Sequence, residues 1–135
     1  MKVIIDTNCL LLSIPPKNPE FWLYQAFASE QFEWVISNEI LSEYFEQLDA
    51  FYSYNTAVLV SNILLSSPNV TFAAPFFKWN LIEKDPDDNK FADLAISANV
   101  NYLVTEDKHF NILKTLPFPT VKVVNLKEFK AVLDF

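Results

Sequence analysis

Arginine and glycine are both absent from the 135 residues, and cysteine and histidine occur once each. Without glycine there is no glycine-rich phosphate loop, neither the dinucleotide fingerprint nor the P-loop, because those backbones approach phosphate only where no Cβ intervenes. Without arginine there is no bidentate phosphate clamp, which lysine cannot replace. The ten basic residues are all lysines, set against 17 acids for a net charge of -7. A nucleic-acid partner would therefore be held by local lysines and bound metal rather than by a basic surface. The lone Cys9 cannot close an internal disulfide and follows an apolar strand, where packing is its expected use. The lone His109 has no second histidine for a zinc site and no Ser or Cys in triad order, so it reads as a solitary exposed loop residue. No apolar run approaches a membrane span, and Asp6 interrupts what would be a signal peptide's apolar region. A cytoplasmic protein with no membrane association is expected.

What is present argues for a folded chain. A hydrophobic share of 51%, an aromatic share of 16% and no repeats favour a compact fold over disorder. The length suits one domain over residues 1–135 with one substantial core.

Strand and helix periods alternate along the chain. Val3, Ile4 and Ile5 form a short β-branched run of the kind buried on both faces, and it ends at Asp6. Pro15, Pro16 and Pro19 then break the chain before a helical pattern over 21–27. A second strand is expected over 32–36, and an amphipathic helix begins at Asn38, read as its N-cap, with Ile40, Leu41, Tyr44, Phe45 and Leu48 on one stripe. Further elements follow: a helix over 56–65, a strand over 70–72, and an irregular connection over 73–81. Asp85 then caps a helix with Pro86 at its first position. Strands at 102–104 and 121–124 and a helix over 126–133 complete the pattern. Such alternation predicts an α/β fold with a parallel sheet and helices on both faces.

Four acids stand out against that frame. Asp6 and Asp107 each follow a buried strand, at the carboxyl ends where open parallel sheets collect ligands. Asp88 lies in the first turn of its helix, in line with Ala92 and Ala95, whose small side chains allow close approach to the sheet. Glu43 is four residues from Glu39 and nearer the apolar stripe. Each has an ordinary reading: turn former for Asp6 and Asp107, dipole complement for Asp88, solvated helix acid for Glu43. Together they suggest a metal site, because crowded carboxylates resist ionising unless a hard cation such as Mg²⁺ or Mn²⁺ offsets their charge. Lys84, Lys90 and Lys108 flank these acids and are candidate contacts for a nucleic-acid backbone.

The segments VIIDTN from Val3, SNEILSEY from Ser37, DPDDNKFADLA from Asp85 and YLVTEDKHF from Tyr102 resemble, in order and spacing, the PIN-domain ribonucleases. The similarity is greatest to the VapC-like toxin components of toxin–antitoxin pairs. The resemblance implies a three-layer α/β/α PIN-like fold with a central parallel sheet of about five strands. It also implies a hydrolase that cleaves RNA with Mg²⁺ or Mn²⁺, is commonly a homodimer and is restrained by a cognate antitoxin. Asp6, Glu43, Asp88 and Asp107 match the family acids, with Thr7, Asn8 and Thr105 as neighbours that orient them. Glu106 stands where similar proteins often carry glycine.

Three rivals differ in testable ways. Phosphatases that form an aspartyl-phosphate would place a second Asp where Asn8 stands. A phosphoacceptor signalling domain would need a lysine directly after a late strand, and Lys127 comes late. A PIN-like module that binds RNA or protein without cutting stays open because arginine is missing.

Overall fold

The computed structural model describes residues 1–15 and 17–135. Pro16, one of the three prolines expected to break the chain, lies outside them. Five strands form one parallel sheet in the order β3-β2-β1-β4-β5: β1 Lys2–Ile5, β2 Glu33–Ile36, β3 Val70–Phe72, β4 Tyr102–Val104 and β5 Val123–Val124. The central strand β1 pairs with β2 through Val3 and Trp34, and with β4 through Val3 to Ile5 against Tyr102 to Val104. Burial explains the composition of these strands, since Val3, Ile4, Ile5, Leu103 and Val104 are fully enclosed. Right-handed connections in this order put helices on both faces. The α/β reading and the parallel sheet of five strands are both observed.

Successive connections lead outward from β1 to β3, then return across the sheet to β4. The reversal lies between β1 and β4, and a crevice at the carboxyl ends of those two strands is the expected consequence. Asp6 and Asp107 follow these two strands.

Helix α1, Thr7–Ser13, was not anticipated. Asp6 serves as its N-cap, accepting the Thr7 N–H at 2.8 Å, so the strand-end acid also starts a helix. Helices α2, Trp22–Ala28, and α4, Tyr54–Ser66, fall where the periodicity predicts them. Helix α3 runs Asn38–Phe51, but its cap is Ser37, whose hydroxyl accepts the Ile40 N–H at 3.2 Å. Asn38 is instead exposed within the first turn.

Ile40, Tyr44 and Leu48, four residues apart, form the buried stripe of α3. The Tyr44 hydroxyl is fully buried and donates to the carbonyl of Ile5, the last residue of β1. It also accepts the Trp34 indole N–H at 3.3 Å. This bridge fixes the second turn of α3 against the end of β1, and Glu43 is the adjacent residue.

The expected helix after Asp85 begins as a 3₁₀ turn, Pro86–Asp88, and becomes α5 at Asn89–Ser97. Asn89 is buried and clamps the incoming chain: its amide exchanges hydrogen bonds of 2.9 and 3.0 Å with the backbone N–H and C=O of Ile82. Asp93, also buried, accepts the Trp79 N–H at 3.0 Å. These two polar side chains satisfy backbone groups in the irregular 73–85 connection, as buried polar groups require. A 3₁₀ segment, Lys108–Thr115, follows β4, and α6, Leu126–Leu133, closes the chain with a capping box between Asn125 and Glu128. Glu106 accepts the Leu126 N–H at 3.0 Å, so it ties the loop after β4 to the start of α6. Among the described residues no helix is long and apolar enough to cross a membrane.

Candidate metal centre

Asp6 is 5% exposed. One of its oxygens accepts the Thr7 N–H and the other accepts the Thr105 hydroxyl at 2.7 Å. Burial pushes its carboxyl up to about 6, with Glu43 and Asp107 adding repulsion against the lowering effect of those two hydrogen bonds. Thr105 also accepts the Asp107 N–H at 3.0 Å. One hydroxyl thus links the acid after β1 to the backbone of the acid after β4.

Asp107 caps the 3₁₀ segment, accepting the His109 N–H at 2.8 Å. Asp88 faces the same place from the junction of the 3₁₀ turn with α5. Its side chain is 13% exposed, and one oxygen, Oδ2, is buried with no hydrogen-bond partner among the described residues. Burial raises its carboxyl to about 7, reinforced by Asp85, Asp6 and Asp107 and opposed by His109.

Glu43 reaches the centre by a different route. One oxygen accepts the hydroxyl of Thr7, and the other pairs with the Lys90 ammonium at 2.6 Å. Lys90 also donates to the Asp87 carbonyl at 2.9 Å. This candidate RNA contact is thereby engaged inside the molecule, bridging α5 to α3. Lys84 and Lys108 are exposed and line a cavity of about 670 Å³ together with Ile82, His109 and Ile112. Asn8 is exposed.

His109 is not the solitary exposed residue that its sequence context suggests. Its side chain is 40% exposed, but Nδ1 is buried, lying 3.4 Å from Asp107 and 3.6 Å from Asp88. Asp85, Asp88, Asp107 and His109 each offer a ligand atom, and these atoms all lie within 4.8 Å of one another. Asp85 and His109 were the residues missed. Asp85 was legible as a helix cap, and His109 stands two residues after Asp107, but neither position alone signals convergence.

The donor set suits a divalent cation. Carboxylates crowded at one point repel, and Asp88 Oδ2 and His109 Nδ1, buried with no hydrogen-bond partner among the described residues, are groups that a cation would satisfy. Asp85, Asp88 and Asp107 offer hard oxygen donors. Asp6 and Glu43 are not among the four convergent residues: Asp6 is hydrogen-bonded to Thr105, and Glu43 to Thr7 and Lys90. By contrast the Cys9 thiol is buried in the core, and burial pushes it up, away from the reactive thiolate.

The fold is shared with several solved structures. A VapBC2 complex from Rickettsia felis, bound to a fragment of promoter DNA, matches with TM-score 0.64 and 20% identity, covering 93% of this chain and 98% of that one. DNA-bound VapBC from Salmonella typhimurium matches with TM-score 0.65 and 17% identity over 93% and 98%. VapBC-1 from nontypeable Haemophilus influenzae matches with TM-score 0.62 and 16% identity over 94% and 99%. No curated protein matches the sequence significantly. A sequence profile of the PIN domain covers residues 2–109, which include all four acids read from the sequence, and the chain accordingly belongs to the PIN domain family.

Proposed function

We propose that this chain is a metal-dependent endoribonuclease that hydrolyses RNA phosphodiester bonds, and that it is the toxin of a toxin–antitoxin pair. The observation that supports the reading is the convergence of ligand atoms from Asp85, Asp88, Asp107 and His109 within 4.8 Å, with a buried Asp88 oxygen left without a partner among the described residues. Asp88 and Asp107 would hold Mg²⁺ or Mn²⁺ directly, Asp6 directly or through water, and Glu43 would close the side of the cage.

A divalent ion there supplies the charge that acidifies a water and offsets the negative oxygens of a phosphodiester. The remaining tasks belong to the chain. Thr105 holds the Asp6 carboxylate in one orientation, and Thr7 does the same for Glu43. Lys84 and Lys108 contact the RNA backbone from the cavity wall, which concentrates the attraction locally on a chain of net charge -7.

The fold similarity to VapBC assemblies supports a cognate antitoxin as partner. Exposed Phe51, Leu59 and Leu65 on α3 and α4 supply apolar area for that contact or for a homodimer. The test is incubation of labelled RNA with the purified chain, with and without Mn²⁺, beside Asp6→Asn and Asp88→Asn. Cutting that requires the ion and falls by on the order of 100-fold in both variants supports the assignment. Cutting indifferent to both substitutions overturns it, and tight RNA binding without cutting supports a binding module instead.

A further inference from the structure

We infer that His109 and Asp85 are additional ligands of the cation, and that the nitrogen donor makes the centre favour a first-row ion such as Mn²⁺ over Mg²⁺. This rests on the reading above in one respect, that a divalent cation occupies the acidic pocket.

The geometry comes from one short turn. Asp107 accepts the His109 N–H at 2.8 Å, so the contact that starts the 3₁₀ segment also brings the imidazole back over the carboxylate. The ring nitrogen Nδ1 then sits 3.4 Å from Asp107 Oδ1 and 3.6 Å from Asp88 Oδ2. Neither approach has hydrogen-bond geometry, since Nδ1 and Asp88 Oδ2 are both buried without a hydrogen-bond partner among the described residues. Buried polar atoms without partners are costly, and a single ion between them would satisfy both.

The spacing suits that arrangement. Ligands on opposite sides of an ion with bonds of about 2.0–2.4 Å lie roughly 4–5 Å apart. The four donor atoms of Asp85, Asp88, Asp107 and His109 lie within 4.8 Å of one another. A set of oxygens alone suits Mg²⁺, whereas an imidazole moves preference toward first-row transition ions. Asp85 adds a third carboxylate, and the Asp85–Pro86 start of the 3₁₀ turn brings it beside Asp88.

The sequence contains a single histidine, which makes the test unambiguous. The tag-free chain is loaded with Mn²⁺ and examined by pulsed electron paramagnetic resonance for ¹⁴N coupling to the ion. Imidazole coupling in the unaltered chain, lost in His109→Ala, is the expected result. Titration calorimetry should show Mn²⁺ affinity falling about tenfold in His109→Ala and in Asp85→Asn, with Mg²⁺ affinity changing less in His109→Ala. Bound Mn²⁺ without ¹⁴N coupling in the unaltered chain overturns the inference and leaves the nuclease reading standing. Failure of Mn²⁺ to bind overturns both.

Discussion

Thr105 donates its hydroxyl to Asp6 at 2.7 Å while accepting the Asp107 N–H at 3.0 Å. A single side chain at the end of β4 therefore sets the orientation of the acid after β1 and the backbone position of the acid after β4. All three residues lie next to the reversal of strand order, where pairing of β1 with β4 brings their ends side by side. The register of two strands becomes the spacing of two carboxylates.

Thr105→Val preserves shape and deletes the hydroxyl. It leaves one Asp6 oxygen and the Asp107 N–H without their partner in a buried setting, so stability in urea should fall by about 1–3 kcal/mol. Mn²⁺ affinity, measured by calorimetry, should also fall, because Asp6 loses its orientation. Thr105→Ser keeps the hydroxyl and should recover most of the metal affinity. Equal losses in both variants would remove Thr105 from its positioning role.

Lys90→Met removes the cation that Glu43 now holds at 2.6 Å. In the absence of metal, Glu43 adds uncompensated charge to the acidic pocket, and stability should drop by about 1 kcal/mol. With metal the sign reverses: removing a fixed positive charge beside the pocket should tighten Mn²⁺ binding by about three-fold or more. Weaker binding in this variant would mean that Lys90 supports the ion rather than competing with it.

The acids also set a pH dependence. Asp6 and Asp88 hold protons up to about 6 and about 7, above the ordinary carboxylate value of 3.8. Across that window the folded chain binds protons that the unfolded chain has released. Metal-free stability from these groups is thus greatest near pH 4 and declines as pH rises toward 7. The groups facing Asp88 are Asp85, Asp6 and Asp107, with His109 opposing them. Asp88→Asn should flatten the decline and raise metal-free stability at neutral pH by on the order of 1 kcal/mol, after allowance for screening. Saturating Mn²⁺ should flatten it in the unaltered chain. Thermal melts across the window check both, and stability that rises with pH would contradict the electrostatic account.

Features carried by a local pattern were legible in the sequence. The β-branched run Val3 to Ile5 ends in an acid, and the stripe Ile40, Tyr44, Leu48 has helical spacing. Helix α1 was not legible, because Asp6 had already been read as a strand-end acid, and the run Cys9 to Leu12 is apolar throughout and shows no helical alternation. Asn38 and Ser37 are both good caps, and only the observed hydrogen bond from Ile40 to Ser37 separates them. Of the convergent residues, the sequence indicated Asp107 by the strand end before it and Asp88 by the helix start. The Lys90 pairing with Glu43 and the inward turn of His109 depend on how α3, α5 and the segment after β4 pack. Those contacts leave no periodic trace.

The central claim is that Asp88 and Asp107, with Asp6 beside them, share one divalent cation. Anomalous diffraction at the manganese edge, from crystals grown with Mn²⁺, tests it most directly. The account predicts a peak within coordinating distance of the Asp88 and Asp107 carboxylates that disappears in Asp88→Asn crystals. An empty pocket at saturating Mn²⁺, or a peak that persists without the Asp88 carboxylate, would contradict it.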